Sequence, residues 1–279
     1  MYDYHNSVIV SKKKGPEQRT IEWEENRKIG ASNVKVIIEG EAFGRTRFDF
    51  ILEKSGFLDP VKTTDAMNFG TKYEAVGRKI IKILYSKYKY YNCVYIKHQK
   101  YDFLGASPDG LLINHEKKKV HLIEIKFPSQ RIPSIDSFNL YYHQLQIQME
   151  VCKISNVLFC DFKLKEYKSF NNLQKNVKDY KYVGICSSIQ KKHFFLSDDK
   201  ITYFYITTSI EKLKNYIDDE NITEIDLYFC IVDFIIKKVK RNKIWFKKNI
   251  DIIKKVWKEI ERRKNGEITP DDIDFFSSP

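Results

Sequence analysis

Two carboxylates and a lysine stand at a spacing that suits metal-assisted chemistry. Asp109 lies in the segment Ser107-Pro108-Asp109-Gly110, and 15 residues after it comes Glu124-Ile125-Lys126. In a strand, the side chains of Glu124 and Lys126 project to the same face because successive residues alternate. Two carboxylates that converge in an apolar sheet repel each other and favour a hard divalent cation. Such an ion lowers the pKa of a bound water and neutralises charge on a phosphoryl oxygen.

Each half of this pattern also has an ordinary structural explanation. Pro-Asp-Gly is a common turn, and Glu-x-Lys can form a surface ion pair. The surroundings favour chemistry, because Glu124 and Lys126 lie inside the apolar run 120–127. Charged groups in an apolar strand require each other or a metal as partners.

A β-hairpin would bring the two carboxylates together. The runs 104–114 and 120–127 are rich in β-forming residues, and the polar segment 114–119 predicts the turn between them. Asp109 and Glu124 then meet at one end of adjacent strands, with Lys126 beside them. Further strands are predicted at 93–98, 156–162, 182–189 and 201–206, and helices from 22 to a break at Gly30, at 33–39 with Ser32 as its cap, at 65–84 and at 137–151. This order predicts a mixed α/β sheet with helices packed on it.

The cysteines and histidines do not suggest a soft-metal site. The five cysteines are scattered without a C-x-x-C pair, and no two of the six histidines have the spacing of metal ligands on one helix face. This usage favours buried thiols over a zinc or iron–sulfur centre.

Positive charge is concentrated near the C-terminus. The 279-residue chain carries a net charge of +12, and residues 235–266 contain 13 Lys or Arg against three acidic residues, a net of +10. Apolar residues recur there at helical spacing, which predicts an amphipathic helix with a lysine-rich outer face; they are Phe246, Ile250, Ile253, Trp257 and Ile260. That face is a solvated surface, a phosphate-binding surface or, less favoured, a membrane-surface helix. Charge alone does not choose between these.

Five motifs together resemble a known nuclease family. Ser-Pro-Asp-Gly followed by Glu-x-Lys resembles the PD-(D/E)xK nuclease core. Three further segments resemble the lambda-exonuclease-like, or YqaJ viral recombinase, branch: Trp23-x-x-x-Arg27 before Gly30-Ala31-Ser32, Phe69-Gly70-Thr71-x-Tyr73-Glu74, and Gln144-Leu145-Gln146. The resemblance covers residues 21–165, in the family's order. It implies an α/β (α+β) restriction-endonuclease-like core with a mixed central sheet flanked by helices and a helical C-terminal extension.

The resemblance also implies roles for individual residues. Asp109, Glu124 and the main-chain carbonyl of Ile125 would hold the metal, with Glu74 as a further acidic ligand. Lys126 would orient or activate the attacking water and stabilise charge on the phosphorus. Gln146 would position the water or the lysine.

A second implied site would bind the 5′-phosphate of the cleaved strand. Its matching positions are Arg27, Ser32, Ser107 and Arg131. A guanidinium and hydroxyls suit a phosphate. The interval from Arg27 to Ser32 is shorter than in the phage enzymes, and Arg131 is one residue nearer the core lysine.

The implied activity is a Mg²⁺-dependent deoxyribonuclease, with Mn²⁺ as a possible substitute. It would degrade double-stranded DNA from 5′ ends in the 5′-to-3′ direction, in viral or phage recombination, repair or replication. Lys237, Lys238, Lys240 and Arg241 are predicted to contact the DNA backbone. The alternative is a structure-selective or restriction-like endonuclease, and a non-catalytic DNA-binding protein is less favoured. Expected partners are double-stranded DNA, an annealing or recombination protein and, by family resemblance, two further copies in a trimer.

The chain divides into four predicted regions. These are an N-terminal arm (1–20), the nuclease core (21–165), C-terminal strands and basic helices that complete the same domain (166–266), and an acidic tail (267–279). No apolar run is long enough to span a bilayer and no leader pattern opens the sequence. An intracellular, non-secreted protein without membrane association is therefore expected.

Overall fold

The computed structural model describes residues 27–190, 200–269 and 272. The predicted arm, the first residues of the helix expected from residue 22, including Trp23, and most of the predicted tail lie outside these residues. Residues 29–30 form a strand, so the expected helix does not extend to Gly30.

Seven α-helices and twelve strands are present in the described parts of the chain. The helices are α1 (Val34–Glu39), α2 (Arg47–Ser55), α3 (Asp65–Leu84), α4 (Tyr142–Cys152), α5 (Phe170–Asn176), α6 (Ile210–Asp219) and α7 (Lys243–Lys264). The strands are β1 (Ile29–Gly30), β2 (Glu41–Ala42), β3 (Arg45–Thr46), β4 (Lys89–Tyr91), β5 (Ile96–Lys97), β6 (Leu104–Ala106), β7 (Gly110–Asn114), β8 (Lys119–Lys126), β9 (Asn156–Tyr167), β10 (Tyr182–Gln190), β11 (Lys200–Thr207) and β12 (Leu227–Lys240). Short 3₁₀ segments cover Ala31–Asn33 and Ser137–Tyr141.

A seven-stranded mixed sheet forms the centre of the fold. Its strand order is β11-β10-β12-β9-β8-β7-β4. β8 and β9 run parallel, whereas the other neighbouring strands are antiparallel. A small sheet of order β1-β6-β5 and the hairpin β2-β3 complete the strand pairing. This confirms the predicted mixed α/β sheet with helices packed on it.

The central strands are buried on both faces. In β8, Leu122 belongs to one hydrophobic cluster, whereas Ile123 and Ile125 belong to another. This alternation follows from the two-residue period of a strand. The first cluster packs α4 and α7 against the sheet, and the second packs α3 against the opposite face. Glu124 and Lys126 of β8 therefore lie on a strand that is enclosed by hydrophobic side chains on both faces.

Helix α3 lies very close to β8 because of one glycine. A Cβ at Gly77 would come 2.7 Å from Cγ2 of Ile125. Only a residue without a side chain permits this approach. The helix begins after Thr64, whose side chain accepts a hydrogen bond from the Met67 amide at 3.2 Å. Its bounds, Asp65–Leu84, are those that the sequence predicts.

The predicted strand 104–114 is in fact two strands in two different sheets. Residues 107–109 separate β6, in the small sheet, from β7, in the large sheet. Pro108 has no amide hydrogen to donate to a ladder, which favours a break here. The chain therefore changes sheet at the Ser-Pro-Asp segment.

Other element boundaries differ from the predictions for local reasons. Ser32 lies in a 3₁₀ segment and does not cap α1, whose N-cap residue is Asn33; the Ser32 hydroxyl accepts a hydrogen bond from Arg27. The helix predicted at 137–151 begins as a 3₁₀ turn and becomes α-helical at Tyr142. The strand predicted at 156–162 continues to Tyr167, and in the run 93–98 only Ile96–Lys97 is a strand.

The basic C-terminal stretch combines a strand and a helix. β12 extends to Lys240, and α7 begins after Asn242, whose side chain accepts from the Trp245 amide at 2.9 Å. The predicted apolar stripe of α7, from Phe246 to Ile260, is buried against the first cluster. All five cysteines are free and buried, as predicted. In the described ranges, no helix has the length and apolar character that crossing a bilayer requires.

Candidate active site

Asp109 is fixed at the start of β7 by hydrogen bonds to β8. Its amide donates to the carbonyl of Ile123 at 3.1 Å, and its Oδ2 accepts from the amide of Ile125 at 2.7 Å. In the antiparallel register, Gly110 lies opposite Ile123. The hairpin thus places Asp109 beside the Glu124-Ile125-Lys126 end of β8.

Tyr90 holds the other side of the Pro-Asp-Gly turn. Its hydroxyl, on a half-buried side chain, donates to the Asp109 carbonyl at 2.7 Å. A Cβ at Gly110 would collide with this hydroxyl, so the turn requires glycine at this position for packing. Sequence reasoning did not identify Tyr90, since its partner is a main-chain atom in a different sequence segment.

The Asp109 carboxyl lies among other negative charges. Burial raises its pKa well above the usual range, and the neighbouring carboxylates Glu124 and Glu74 raise it further. Lys126 and the Ile125 amide oppose this rise. Asp109 and Glu124 therefore adjoin at this end of the hairpin, and Glu74 of α3 is near enough for its charge to act on Asp109.

Glu124 is almost completely buried, with 1% of its surface exposed, and each of its oxygens accepts hydrogen bonds. Oε1 accepts from Lys126 Nζ and, at 2.6 Å, from Gln144 Nε2. Oε2 accepts from Gln148 Nε2, also at 2.6 Å. The two glutamines lie one turn apart on α4, so they present their amides to the same point. They hold the carboxylate in one orientation.

Gln146, the glutamine that the family resemblance implies, does not reach the carboxylates. Its Nε2 donates to the carbonyl of Lys240 at 3.0 Å, and its Oε1 accepts from the amide of Asn242 at 2.7 Å. It therefore joins α4 to the junction of β12 and α7. Two residues along a helix point to different faces, so Gln146 is directed away when Gln144 and Gln148 face Glu124. The four-residue spacing of Gln144 and Gln148, which puts both on one face of a helix, is the sequence signal that could have identified this pair.

Lys126 is held between a carboxylate and an aromatic ring. Its Nζ pairs with Glu124 and lies 4.9 Å from the ring centre of Tyr141. Burial lowers the pKa of Lys126, but the negative Glu124 and Asp109 outweigh this effect, and the net pKa is raised. The ammonium group is therefore a fixed positive charge beside the two carboxylates.

Glu74 approaches the cluster from α3. It is buried and pairs with Arg78 one turn further along the helix. Burial lowers the pKa of Arg78, but Glu74 more than compensates and the net pKa is raised. Within the described ranges, no three His, Cys, Asp or Glu side chains form a ready metal-binding group. Glu74 and Glu124 are turned instead to their cationic partners, Arg78 and Lys126.

Three of the four predicted phosphate ligands lie at the edge of the small sheet where the carboxyl ends of β1 and β6 meet; they are Arg27, Ser32 and Ser107. β1 and β6 run parallel, with Gly30 opposite Gly105, so Ser32 and Ser107 both follow the carboxyl ends of adjacent strands. The Arg27 guanidinium donates to the Ser32 hydroxyl at 2.5 Å. A guanidinium and hydroxyls at neighbouring strand ends can bind an anion.

Arg131, the fourth predicted ligand, has a structural partner. Its guanidinium forks onto the carboxylate of Asp161, with Nη2 to Oδ1 at 2.9 Å, and also donates to Ser137 Oγ at 2.5 Å. Asp161 is 0% exposed and lies opposite Lys126 in the parallel register of β8 and β9. This ion pair fastens the segment before α4 to the sheet. The phosphate contact of Arg131 stays a prediction, and the contacts that the structure shows for its guanidinium are internal.

The four basic residues predicted to contact DNA do not share one surface. The guanidinium of Arg241 donates to Glu150 Oε2 at 2.9 and 2.6 Å, which makes it an internal ion pair. Lys237 and Lys238 point to opposite faces of β12 because they are adjacent in a strand. Lys237 Nζ lies 5.6 Å from the Phe138 ring centre, whereas Lys238 lines a cavity of about 270 Å³ with His121. Lys240 is exposed.

Comparison with known proteins agrees with this architecture. Residues 22–155 match the model of the YqaJ-like viral recombinase domain, which is the family that the motifs predict. A comparison with curated protein sequences gave no match.

Solved exonuclease structures are similar to this chain over most of its length. An alkaline exonuclease (LHK-Exo) from Laribacter hongkongensis matches with a TM-score of 0.53 and 17% identity, covering 89% of this chain and 96% of that chain. A structure of LHK-Exo in complex with dAMP matches with a TM-score of 0.50 and 17% identity, covering 88% and 97% respectively. A phage related exonuclease from Haemophilus somnus 129PT has a TM-score of 0.43 and 13% identity, covering 86% and 94%. The first two likenesses show that this chain shares the fold of LHK-Exo.

Proposed function

We propose that this protein is a divalent-metal-dependent exonuclease that degrades double-stranded DNA from phosphorylated 5′ ends. The family and the fold support a DNA exonuclease in general terms. The observation that carries the finer proposal is the segment 107–109. It contributes Ser107 to the Arg27–Ser32 edge and Asp109 to the carboxylate cluster.

The short distance between these two groups suits a terminal nucleotide. Two residues of extended chain span at most about 7 Å. This span is comparable with the separation of successive phosphates along a nucleic-acid strand. A 5′-terminal phosphate at Ser107 would therefore place the next phosphodiester near Asp109.

The carboxylate cluster suits Mg²⁺, with Mn²⁺ as a substitute. Asp109 and Glu124 would hold the ion, together with the carbonyl of Ile125 and with Glu74 directly or through water. Burial and the repulsion of Glu124 and Glu74 together raise the Asp109 pKa, and a bound cation would relieve both effects. When bound, the ion supplies a water of lowered pKa and neutralises charge on the phosphoryl oxygen.

The remaining residues would position the Glu124 carboxylate and stabilise the charge that develops during the reaction. Gln144 and Gln148 orient Glu124 through its two oxygens. Lys126, with its raised pKa, would stay protonated and stabilise the charge that develops on the phosphorus. Its place beside both carboxylates would put this charge next to the reacting phosphate.

The product of such an enzyme would be a duplex with a 3′ single-stranded end. That end is a substrate for a single-strand annealing protein, which we propose as the functional partner in viral or phage recombination. A homo-oligomeric state, a trimer in the family pattern, stays a prediction.

The test compares three DNA substrates in the presence of Mg²⁺. They are a linear duplex with 5′-phosphates, the same duplex with 5′-hydroxyls, and a closed circle. We expect fast, stepwise degradation of the first, slower degradation of the second and none of the third. EDTA and the Asp109→Asn variant are the controls for metal-dependent cleavage at this site.

Two results would contradict the proposal. Efficient cutting of the closed circle would favour an endonuclease. Equal rates on both linear duplexes would remove the phosphate-binding role of the Arg27–Ser32–Ser107 edge.

A further inference from the structure

Tyr95 is a buried tyrosine whose hydroxyl has no hydrogen-bond partner. Its side chain is 2% exposed, and Oη lacks a partner among the described residues. Native proteins pair nearly all buried polar groups, because an unpaired one is costly. A phenylalanine would fill the same space without this cost, so the hydroxyl calls for a functional explanation.

The ring of Tyr95 lies directly over a glycine of the small sheet. A Cβ at Gly105 would collide with the Tyr95 hydroxyl, and one at Gly30 would collide with the Arg27 guanidinium. Gly30 and Gly105 are direct partners in the parallel pair β1–β6. Partners in a ladder project to the same face, so Tyr95 and Arg27 lie side by side over this glycine pair.

The pairing with β5 also places Tyr95 beside Ser107. In the antiparallel pair, Ile96 lies opposite Ala106. Tyr95 directly precedes the first paired residue of β5, and Ser107 directly follows the last paired residue of β6, so both residues leave the ladder at the same end. The tyrosine therefore lies beside Arg27 and at the end of the sheet that carries Ser107, two residues that we assign to the 5′-phosphate site.

We propose that the Tyr95 hydroxyl is a further ligand of the 5′-terminal phosphate and donates a hydrogen bond to one of its oxygens. This proposal rests on the proposed function. A hydroxyl beside a guanidinium turns its lone pairs toward the cation and its hydrogen away from it. An anion held by the same guanidinium is then the natural acceptor.

The protonation state suits a donor. Burial raises the pKa of Tyr95 to about 12, with Arg27 acting weakly in the opposite direction, so the hydroxyl keeps its proton at neutral pH. The Arg27 guanidinium is at present bonded to Ser32. Rotation of the Arg27 guanidinium toward phosphate oxygens would also expose the Tyr95 hydroxyl to the ligand.

The experiment removes only the hydroxyl, with Tyr95→Phe. Initial cleavage rates are measured on duplexes with 5′-phosphate and with 5′-hydroxyl ends, and DNA affinities on both duplexes are measured by fluorescence anisotropy in EDTA. We expect the ratio between the two ends to fall about tenfold, the scale of one hydrogen bond to a charged group. The rate on hydroxyl ends should not change, and the melting temperature should stay equal or rise.

Tyr182→Phe is the matched control, since it removes a hydroxyl from a buried tyrosine that lies in the second hydrophobic cluster, with α3. It should leave the end preference unchanged. If Tyr95→Phe keeps the full preference for 5′-phosphorylated ends, the role of Tyr95 is overturned but the phosphate site is not. Equal slowing on both ends would also overturn it and indicate a structural role. A wild-type enzyme without any preference would overturn the phosphate site itself.

Discussion

Gln148 donates a hydrogen bond of 2.6 Å to Oε2 of Glu124, the oxygen that faces away from Lys126. Gln144 donates at the same distance to the other oxygen. Gln146, between them in sequence, bonds instead to the main chain at the start of α7. One helix therefore uses alternate glutamines for two purposes, and substitutions can separate them.

Replacing Gln148 with Leu should slow cleavage about tenfold or more without weakening DNA binding. A hydrogen bond to a charged group contributes about 1.5–3 kcal/mol, and its loss leaves the Glu124 carboxylate less firmly oriented. Single-turnover cleavage rates and DNA affinity in EDTA check this outcome.

Gln146→Leu is the matched control. It should lower the free energy of unfolding, because the Lys240 carbonyl and the Asn242 amide lose a buried partner, while the folded fraction cleaves normally. A larger loss of turnover in Gln146→Leu than in Gln148→Leu would restore the sequence-based assignment.

These glutamines show what the sequence could and could not determine. The convergence of Asp109, Glu124 and Lys126 was predictable, because a short hairpin and a two-residue period fix which side chains meet. The phase of α4 was not, since it depends on the 3₁₀ turn before Tyr142 and on packing against distant α7. The partner of Arg131 was equally hidden, because Asp161 reaches it through the register of β9 beside β8.

Removing the ion pair between Arg131 and Asp161 should mainly destabilise the fold. Arg131→Ala leaves Asp161 buried without its cation, and breaking such a pair costs on the order of 3–5 kcal/mol. Urea unfolding of Arg131→Ala, Asp161→Ala and the double variant measures the coupling between the two residues. A small change in stability with a selective loss on 5′-phosphorylated ends would instead favour Arg131 as a phosphate ligand.

Alanine substitutions of the basic residues in and just after β12 should have three different effects on DNA binding and stability. Lys237 lies on the same face as Phe138 and the Lys126 end of the sheet, so Lys237→Ala should weaken DNA binding and reduce the salt slope by about 1. Lys238 lines the cavity with His121 on the other face, and Lys238→Ala should leave both quantities nearly unchanged. Arg241→Ala should lower stability, because Glu150 loses its ion-pair partner.

Affinity measured against salt concentration for each variant, with urea unfolding alongside, tests this division. An equal change in slope for Lys237→Ala and Lys238→Ala would place DNA across both faces of the strand.

The buried carboxylates should make the protein less stable as pH rises, and Mg²⁺ should oppose this loss. The Asp109 pKa is raised well above its unfolded value near 3.8, so the folded state retains a proton that the unfolded state has lost. The folding free energy contributed by this group is present below the unfolded pKa and is lost as pH rises through the folded pKa. In EDTA, the melting temperature should therefore fall between acidic and neutral pH. Asp109→Asn should flatten this fall.

Mg²⁺ competes with the proton for the Asp109 carboxylate. It should therefore raise the melting temperature of the wild type more at high pH than at low pH. It should raise the melting temperature of Asp109→Asn little at either pH. A stabilisation by Mg²⁺ that is equal in both proteins and independent of pH would show that the ion binds elsewhere.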